Sequence, residues 1–575
     1  MDFGKTKYEQ VWVGDKGQLY ARLWDPFSKT SNIYDLKYDY IPSLYIEDEY
    51  SEGPFKSFTN GRPLTEIKFD KVSDIYSYLK SNDNSKLYGY NNRPHKFIRD
   101  TFPNTVDCNH EFHEWFLDIE TRSLNGFEPA DRASQEITMI QIYDSKINKY
   151  ILLGRKKFTA TFEQENVEYY HIEDEKQLLR TFLNILNKAK PSVIKSFNGL
   201  LFDYPYITNR IKNLGLDFTL LSPVKTVKFK DGITQDGMTG ITALWEGIYL
   251  IDLRELFLKY AYAGLASNSL NNVSKFYGFE SKIDHSEFDT FDGQYSGKGY
   301  MFPDKAPEGE LDLKIYETQV NYKNNPTPKN WAEVEQACFN KFTIYSIKDV
   351  ELMVKIENKA KLFNTAKGIA YVCGVNIDEV AGTLKQWRAF VYKECMENNL
   401  VLPIQQQYGD PNCIYKAGWT RSLPGKYNWV ASFDFTSLYP SLFQAFNVGT
   451  DTMIKPEELE QMPELKEIKE KYFNYFTLSN VGSLEIKYKG NTNDIIEETQ
   501  YYQSLMDNKG KIIPVLKKYD VTATPNGQFF RRDKESISSI LMRRIFNDRI
   551  THKRNAQRLY GELEEIKAEM KKRGL

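Results

Sequence analysis

Cysteine is scarce in this chain. There are five among 575 residues, Cys108, Cys338, Cys373, Cys395 and Cys413, and no C-x-x-C pair. That spacing excludes a disulfide framework and points to a reducing compartment. Long apolar runs are missing as well. The start, "MDFGKTKYEQ", has no apolar signal core, and nothing approaches the roughly 20 residues needed to span a bilayer. The expectation is a soluble, cytoplasmic protein without a membrane partner. An excess of one charge is also absent, since the formal net charge is only -2. A chain that wraps nucleic acid is often basic, so the total argues weakly against one. Clustered acids at a metal site would, however, mask basic grooves elsewhere. Internal repeats and low-complexity tracts are lacking too.

What is there suffices for several large cores: 41% hydrophobic and 14% aromatic residues over a length that suggests about three or four domains. Residues 1–110 alternate short aromatic strands with polar turns and read as a small mixed domain. Residues 111–360 change character. Apolar strands ("EITMIQIYD", "KYILLG", "GIYLIDL") alternate with helical segments ("EKQLLRTFLNILNKA", "NKFTIYSIKDVELMVKIENKAKLF"), the pattern of an α/β domain around a mixed sheet. Residues 361–405 read as helices. In 406–535 strand patterns return near "YNWVASFDF", with a hairpin at Pro525-Asn526-Gly527. Residues 536–575 form one long helix pattern. The expected class is therefore α/β and α+β, multidomain.

Several acids stand where an acid is costly. Asp118 and Glu120 in "FLDIET" are two apart on a predicted strand, so both leave one face. Such pairs repel, and cations between them relieve the repulsion, although D-x-E also occurs on ordinary exposed strands. Asp203 in "NGLLFDYPYI" sits at a strand-to-helix junction, where it could equally be the N-cap of a helix beginning at Tyr204. Tyr345 and Asp349 in "YSIKDVEL" are four apart and share a helix face. Asp434 lies in "VASFDFTSLYPSLFQ", at the end of a predicted strand running from Val430 that Pro440 cannot continue. "DCNHEFHEW" places Cys108, His110 and His113 close together, but a strand would point His113 away from the other two, so packing is preferred to zinc.

Taken in order, D-x-E, N-x-x-x-F-D and Y-x-x-x-D resemble the three motifs of DnaQ-like (DEDDy) 3'-5' exonucleases, whose domain is RNase H-like. "DFTSLYPS" resembles the first palm motif of family B DNA polymerases. "YKAGWTRSLPGKYNWVASFDFTSLYPSL" and "PNGQFFRRDKESISSILMRRIFNDRITHK" extend the likeness to the replicative polymerases of T-even-type bacteriophages. The resemblance implies two Mg2+ or Mn2+ ions about 4 Å apart on Asp118, Glu120, Asp203 and Asp349, with Tyr345 orienting a water. It further implies that Asp434 and the backbone carbonyl of Phe435 hold two polymerase metals. Ser437 and Leu438 would offer backbone N–H groups to an incoming dNTP, and Tyr439 would exclude a 2'-hydroxyl. Arg549 and Lys553 would grip the triphosphate. The chain departs from the pattern at "YKAGWT", where only Gly418 matches the family's small-residue turn.

After Asp434 the sequence contains no K-x-x-x-N-S-x-Y-G helix, no D-T-D motif and no thumb. One palm carboxylate cannot assemble a two-metal site unaided. The expectation is thus the N-terminal part of a split polymerase: an N-terminal domain, a 3'-5' exonuclease, a partial palm and the first finger helix. It would bind primer-template DNA, a single-stranded 3' end and dNTP, with a C-terminal subunit supplying the rest and any docking to a sliding clamp. A truncated chain, a stand-alone exonuclease and a non-catalytic nucleic-acid-binding module are the alternatives. "KDGITQDGMTGITALW" is expected to form a hairpin that holds strands apart.

Overall fold

The structure is a computed structural model. It describes residues 3–15, 17–36, 40–83, 86–89, 92–103, 110–124, 126, 128–261, 264–404, 424–435, 437–474, 477–478, 484–485 and 492–573. The chain forms two compact units, Met1–Pro42 with Asn92–Phe390, and Ser43–Asn91 with Val391–Leu575. The architecture is mixed α/β, and the first hundred residues are divided between the units.

The first unit is organised by a six-stranded sheet. Its spatial order is Val167–His171, Lys149–Gly154, Ile137–Asp144, Glu114–Thr121, Val193–Ser196, Tyr249–Asp252. Glu114–Thr121 runs antiparallel to Ile137–Asp144 and parallel to Val193–Ser196, so the sheet is an antiparallel meander extended by parallel strands. All but the edge strand Val167–His171 are largely buried on both faces, and alternation sorts their side chains into two cores. Trp115, Leu117 and Ile119 face helices Glu175–Ala189 and Asp203–Asn213, packing with Leu179, Phe182, Tyr204 and Ile207. Phe116 belongs to the other core, with Met139, Phe339, Phe342 and Met353, the last three from the 33-residue helix Pro328–Ala360. Asp118 and Glu120 share the parity of Phe116, so both leave the strand on that helix's side.

Local chemistry starts these helices. Asp174 caps Glu175–Ala189 by accepting from Gln177 N at 2.8 Å. Thr327 caps Pro328–Ala360 with proline in the first turn, where no N–H is needed. The expected hairpin forms between Val227–Ile233 and Thr239–Trp245, in unbroken antiparallel register. A three-stranded antiparallel sheet, Lys7–Val13, Leu19–Asp25 and Thr30–Asp35, completes the unit. Asn376 ties it in, accepting from Val11 N at 2.9 Å and donating to Val11 O at 2.7 Å.

The second unit contains a small antiparallel sheet of Leu64–Ile67, Leu44–Glu47 and Leu87–Tyr88. Its C-terminal part has a core of Ile454, Leu465, Ile468, Phe473, Ile512, Val521 and Phe529. The expected hairpin forms between Val521–Ala523 and Phe529–Arg531, and Gly527 supplies the positive φ of 76° that its turn needs. The last helix is Ile537–Lys572, capped by Ser536, which accepts from Ser539 N at 3.0 Å. Asn447 joins it to helix Leu438–Phe446: its amide donates to Arg531 O at 2.6 Å and Lys534 O at 2.8 Å and accepts from Ser536 N at 2.8 Å. Among the described residues no helix is long and apolar enough to cross a membrane.

The strand expected from Val430 to Asp434 does not form. Val430, Phe433 and Phe435 are exposed, and no described strand pairs with this segment, so its backbone has no ladder to hold it extended. Pro440 instead lies in the first turn of Leu438–Phe446, where its missing N–H costs nothing. Cys108 and Gly418 lie outside the described residues. His110 and His113 bond separate carboxylates, Glu9 at 3.0 Å and Asp144 at 2.9 Å, which agrees with packing and not with a shared metal.

Phe182 lies at the centre of the core beneath the sheet and is fully buried. Phe182→Ala is expected to destabilise the chain by about 3–5 kcal/mol, seen as a lower urea midpoint. An unchanged midpoint would mean that this core does not hold the sheet.

Candidate functional site

The strand Glu114–Thr121 delivers Asp118 and Glu120 to the end of the sheet, and helix Pro328–Ala360 delivers Asp349 to the same place. Carboxylate oxygens of Asp118, Glu120 and Asp349 all lie within 4.8 Å of one another. Glu120, Asp203 and Asp349 are buried and Asp118 half-buried. Asp203 is close by but engaged differently, accepting from Ile119 N at 3.2 Å. It is the first residue of Asp203–Asn213 and not its N-cap, which is Phe202, because the chain turns one residue earlier than expected. Gly199 permits that turn: a Cβ there would meet Ser196 Oγ at 1.9 Å and Asp203 Oδ2 at 3.1 Å.

Three further residues complete the site. Gln141 pairs with Asp118 across the strands and donates to Asp118 Oδ2 at 3.1 Å. It is the lone amide in the apolar strand "ITMIQIYD", a polar residue in a fully buried strand, and that was a readable signal. Lys282 forms an ion pair with Asp349 and donates to Tyr345 Oη at 3.4 Å. It comes from a loop, and no local pattern marks it. Asp252, at the end of the strand "YLID", caps Leu253–Tyr260 and also accepts from Asn198 N at 2.9 Å. Above the carboxylates opens a cavity of about 390 Å³, lined by Asp118, Asp349, Phe197, Asn198, Met238 and Lys282, among others.

The electrostatics follow from crowding. Burial, then the Asp203 and Glu120 charges, hold Asp118 well above the usual carboxylate range. Burial, then Asp349, push Glu120 up to about 8. Burial and Asp252 push Asp203 up to about 7. Burial also raises Asp349 despite Lys282. Burial would lower Lys282, but the charge and hydrogen bond of Asp349 together with the Asp118 and Glu120 charges outweigh it, and the ammonium is held above its ordinary value. One lysine does not neutralise four carboxylates, and Asp349 Oδ1 is buried without a hydrogen-bond partner among the described residues. An all-oxygen donor set short of positive charge fits Mg2+ or Mn2+.

The polymerase-like residues form a second locality. Ser437, at φ 53° and ψ 52°, is the N-cap of Leu438–Phe446. Arg549 from the terminal helix donates to Ser437 Oγ at 3.3 Å. Lys553 lies one turn further along on the same face, exposed, as are Asp434, Leu438 and Tyr439. Among the described residues Asp434 belongs to no cluster of three or more side chains able to hold a metal.

A folded-state pKa raised above the unfolded value gives stability that is complete below the unfolded pKa and lost as pH rises through the folded one. For Glu120 that window runs from 4.5 to about 8. The chelated protein is therefore expected to lose at least about 1 kcal/mol in thermal unfolding between these limits. Mg2+ should restore it, most at the alkaline end, and Asp118→Ala/Glu120→Ala should flatten the profile. A pH-independent melting temperature in chelator would contradict the crowded-carboxylate account.

A model of the DNA polymerase family B exonuclease domain matches residues 85–273, and one of DNA polymerase family B matches residues 382–565. The DNA-directed DNA polymerase of Escherichia phage RB69 is 23% identical over 444 residues, covering 72% of this chain and 44% of the phage protein. That of Enterobacteria phage T4 is 21% identical over 452 residues, with the same coverage. The DNA polymerase of Paramecium bursaria Chlorella virus NY2A is 22% identical over 552 residues, 92% of this chain and 54% of the viral protein. The chain thus spans about half the length of these relatives. With an exonuclease domain followed by a polymerase domain, both of one family, the chain belongs to DNA polymerase family B.

Proposed function

We propose that the chain removes nucleotides from the 3' end of single-stranded DNA at Asp118, Glu120, Asp203 and Asp349, within a domain of RNase H-like fold. The observation that carries this is the convergence of D-x-E and Y-x-x-x-D carboxylates within 4.8 Å of one another beneath an open cavity. The four carboxylates would hold two divalent ions, Mg2+ or Mn2+, which when bound supply an activated water and stabilise the leaving 3' oxygen. The chain's own groups do the rest. Gln141 fixes the orientation of Asp118, and Tyr345, half-buried beside Asp349, offers a phenol to orient the attacking water. Lys282 limits the repulsion among the acids before metal arrives. Phe197 and Met238 give the cavity apolar walls against which a frayed terminal base can rest.

The second site in this reading is half of a nucleotidyl-transfer centre. Asp434 and the Phe435 carbonyl would hold metal. Backbone N–H groups at the start of Leu438–Phe446 would receive the dNTP phosphates, with Arg549 and Lys553 opposite them. Tyr439 would lie against the sugar. The second metal-binding aspartate would come from polypeptide outside these 575 residues. Exposed Leu559, Leu563, Ile566 and Met570 favour such a complement, because their 4-3-4 spacing is that of a helix seam lacking its partner helix. The domain boundaries read from the sequence, at about residues 110, 360, 405 and 535, belong to the same proposal.

Release of mononucleotides from a 3'-labelled single strand in Mg2+ tests the first site. Asp118→Ala/Glu120→Ala should reduce it by about a hundredfold or more. Release that survives the double variant would sink the assignment. For the second site, primer extension is expected only when a chain carrying the remaining fingers and palm is added, and Asp434→Ala should abolish it. Extension by the 575 residues alone would refute the half-site.

A further inference from the structure

Strand Glu114–Thr121 has two ends. Glu120 lies at the carboxylate end, and Glu114, six residues away or about 20 Å along an extended strand, lies at the other. At that other end opens a cavity of about 680 Å³. Four lysines reach it from four separate segments: Lys29 in the turn between Leu19–Asp25 and Thr30–Asp35, Lys146 in the turn after Ile137–Asp144, Lys190 at the C-cap of Glu175–Ala189, and Lys367 in helix Leu362–Cys373. None of the four is in an ion pair with a described carboxylate, whereas most lysines buried around the sheet are. Of the two acids in the lining, Glu114 is taken by Lys195 at 2.7 Å, which leaves Glu111 beside four lysines, of which Lys367 sets its ammonium 5.6 Å from the Phe112 ring centre.

The cavity has an aromatic side as well. The Trp24 ring, half-exposed, stacks on His110 at 4.5 Å and 11°. His110 in turn stacks on Phe112 at 5.0 Å and 22°. The column is anchored from below: His110 bonds Glu9 at 3.0 Å, and Ser31 and Ser192 hydroxyls donate to the same carboxylate at 2.8 Å each. Trp24 ends the column, with no other ring partner among the described residues.

We infer that this cavity is a binding site for a nucleotide unit, its base continuing the stack on Trp24 and its phosphate received among Lys29, Lys146, Lys190 and Lys367. Lysines that repel one another across a cavity are relieved by a polyanion, and a rigid flat ring beside them selects an anion with a flat face. The site shares no residue with either carboxylate locality and needs no metal. A free nucleotide and a nucleotide within a single strand share this chemistry.

The test uses the full chain in EDTA, so that metal-dependent binding elsewhere is silent. Adenosine monophosphate and a short oligodeoxynucleotide are titrated separately. The charge-reversal pair Lys29→Glu/Lys190→Glu should weaken binding about tenfold or more. The salt dependence of oligonucleotide binding should fall by about 0.7 for each phosphate no longer neutralised. Trp24→Ala should weaken binding about tenfold, and Trp24→Phe should recover part of it. Weakening of both titrations would assign a free-nucleotide site, and weakening of the oligonucleotide alone a strand site. The charge-reversal pair touches exposed side chains and leaves the core intact, and mononucleotide release in Mg2+ should continue in it. Wild-type chain that binds neither probe, or charge reversal that changes neither titration, would overturn the inference.

Discussion

Packing four carboxylates into the end of a buried sheet is the constraint on which the first unit depends. Asp118 and Glu120 leave one strand on the same side, and helix Pro328–Ala360 brings Asp349 against them, so three acids meet within 4.8 Å. In water that proximity would cost little. Here burial raises every one of these acids, and a single lysine stands against them. A fold that needed only stability would place leucine at these positions, as it does at Leu117 on the opposite face of the same strand. The acids are tolerated because the other face is a dense apolar core, and because protons or divalent cations can carry away the excess charge.

That constraint explains details that are otherwise arbitrary. Gln141 lies opposite Asp118 in strand register, where its amide donates to the half-buried acid. Gly199 lets the chain pass close to Asp203, since any side chain would strike Ser196. Asp252 removes nearby backbone donors by taking Asn198 N and Arg254 N for itself. Each adjusts the position or charge of an acid.

How much of this was legible follows from the range of each signal. Period-two alternation put Asp118 and Glu120 on one face, and the i, i+4 rule put Tyr345 above Asp349; both hold because they depend only on the local backbone. The hairpin at Pro525-Asn526-Gly527 and the terminal helix were readable for the same reason. The start of the helix at Asp203 was misplaced by one residue because the turn depends on a close approach at Gly199, where a Cβ would meet Ser196 and Asp203. Gln141 could have been found, since one amide in an eight-residue apolar strand invites the question. Lys282 could not, because it arrives from a loop. The strand at Val430–Asp434 failed because alternation describes which faces a strand would show and supplies no neighbour to pair with it.

The two localities differ in a way that bears on their relation. Around Asp118 the acids are buried and held from several elements, whereas Asp434 is exposed beside exposed Phe433 and Phe435. Yet the parts around Asp434 are not left to drift. Asn447 fastens Leu438–Phe446 to the start of Ile537–Lys572 through three hydrogen bonds, and Ser539 adds a fourth to Phe443 O at 2.8 Å. That junction keeps Arg549 within reach of Ser437 three turns along the helix. An arginine aimed at a left-handed serine on a helix N-terminus is an anion-receiving arrangement, and it exists before the neighbouring acid is enclosed. The Arg549–Ser437 side is thus preorganised by contacts internal to the unit, while Val430–Asp434 pairs with no strand among the described residues and leaves Val430 and Phe433 exposed. Under the proposed half-site, polypeptide that pairs with Val430–Asp434 and covers Phe433 and Phe435 would supply an acid and a strand ladder in one step.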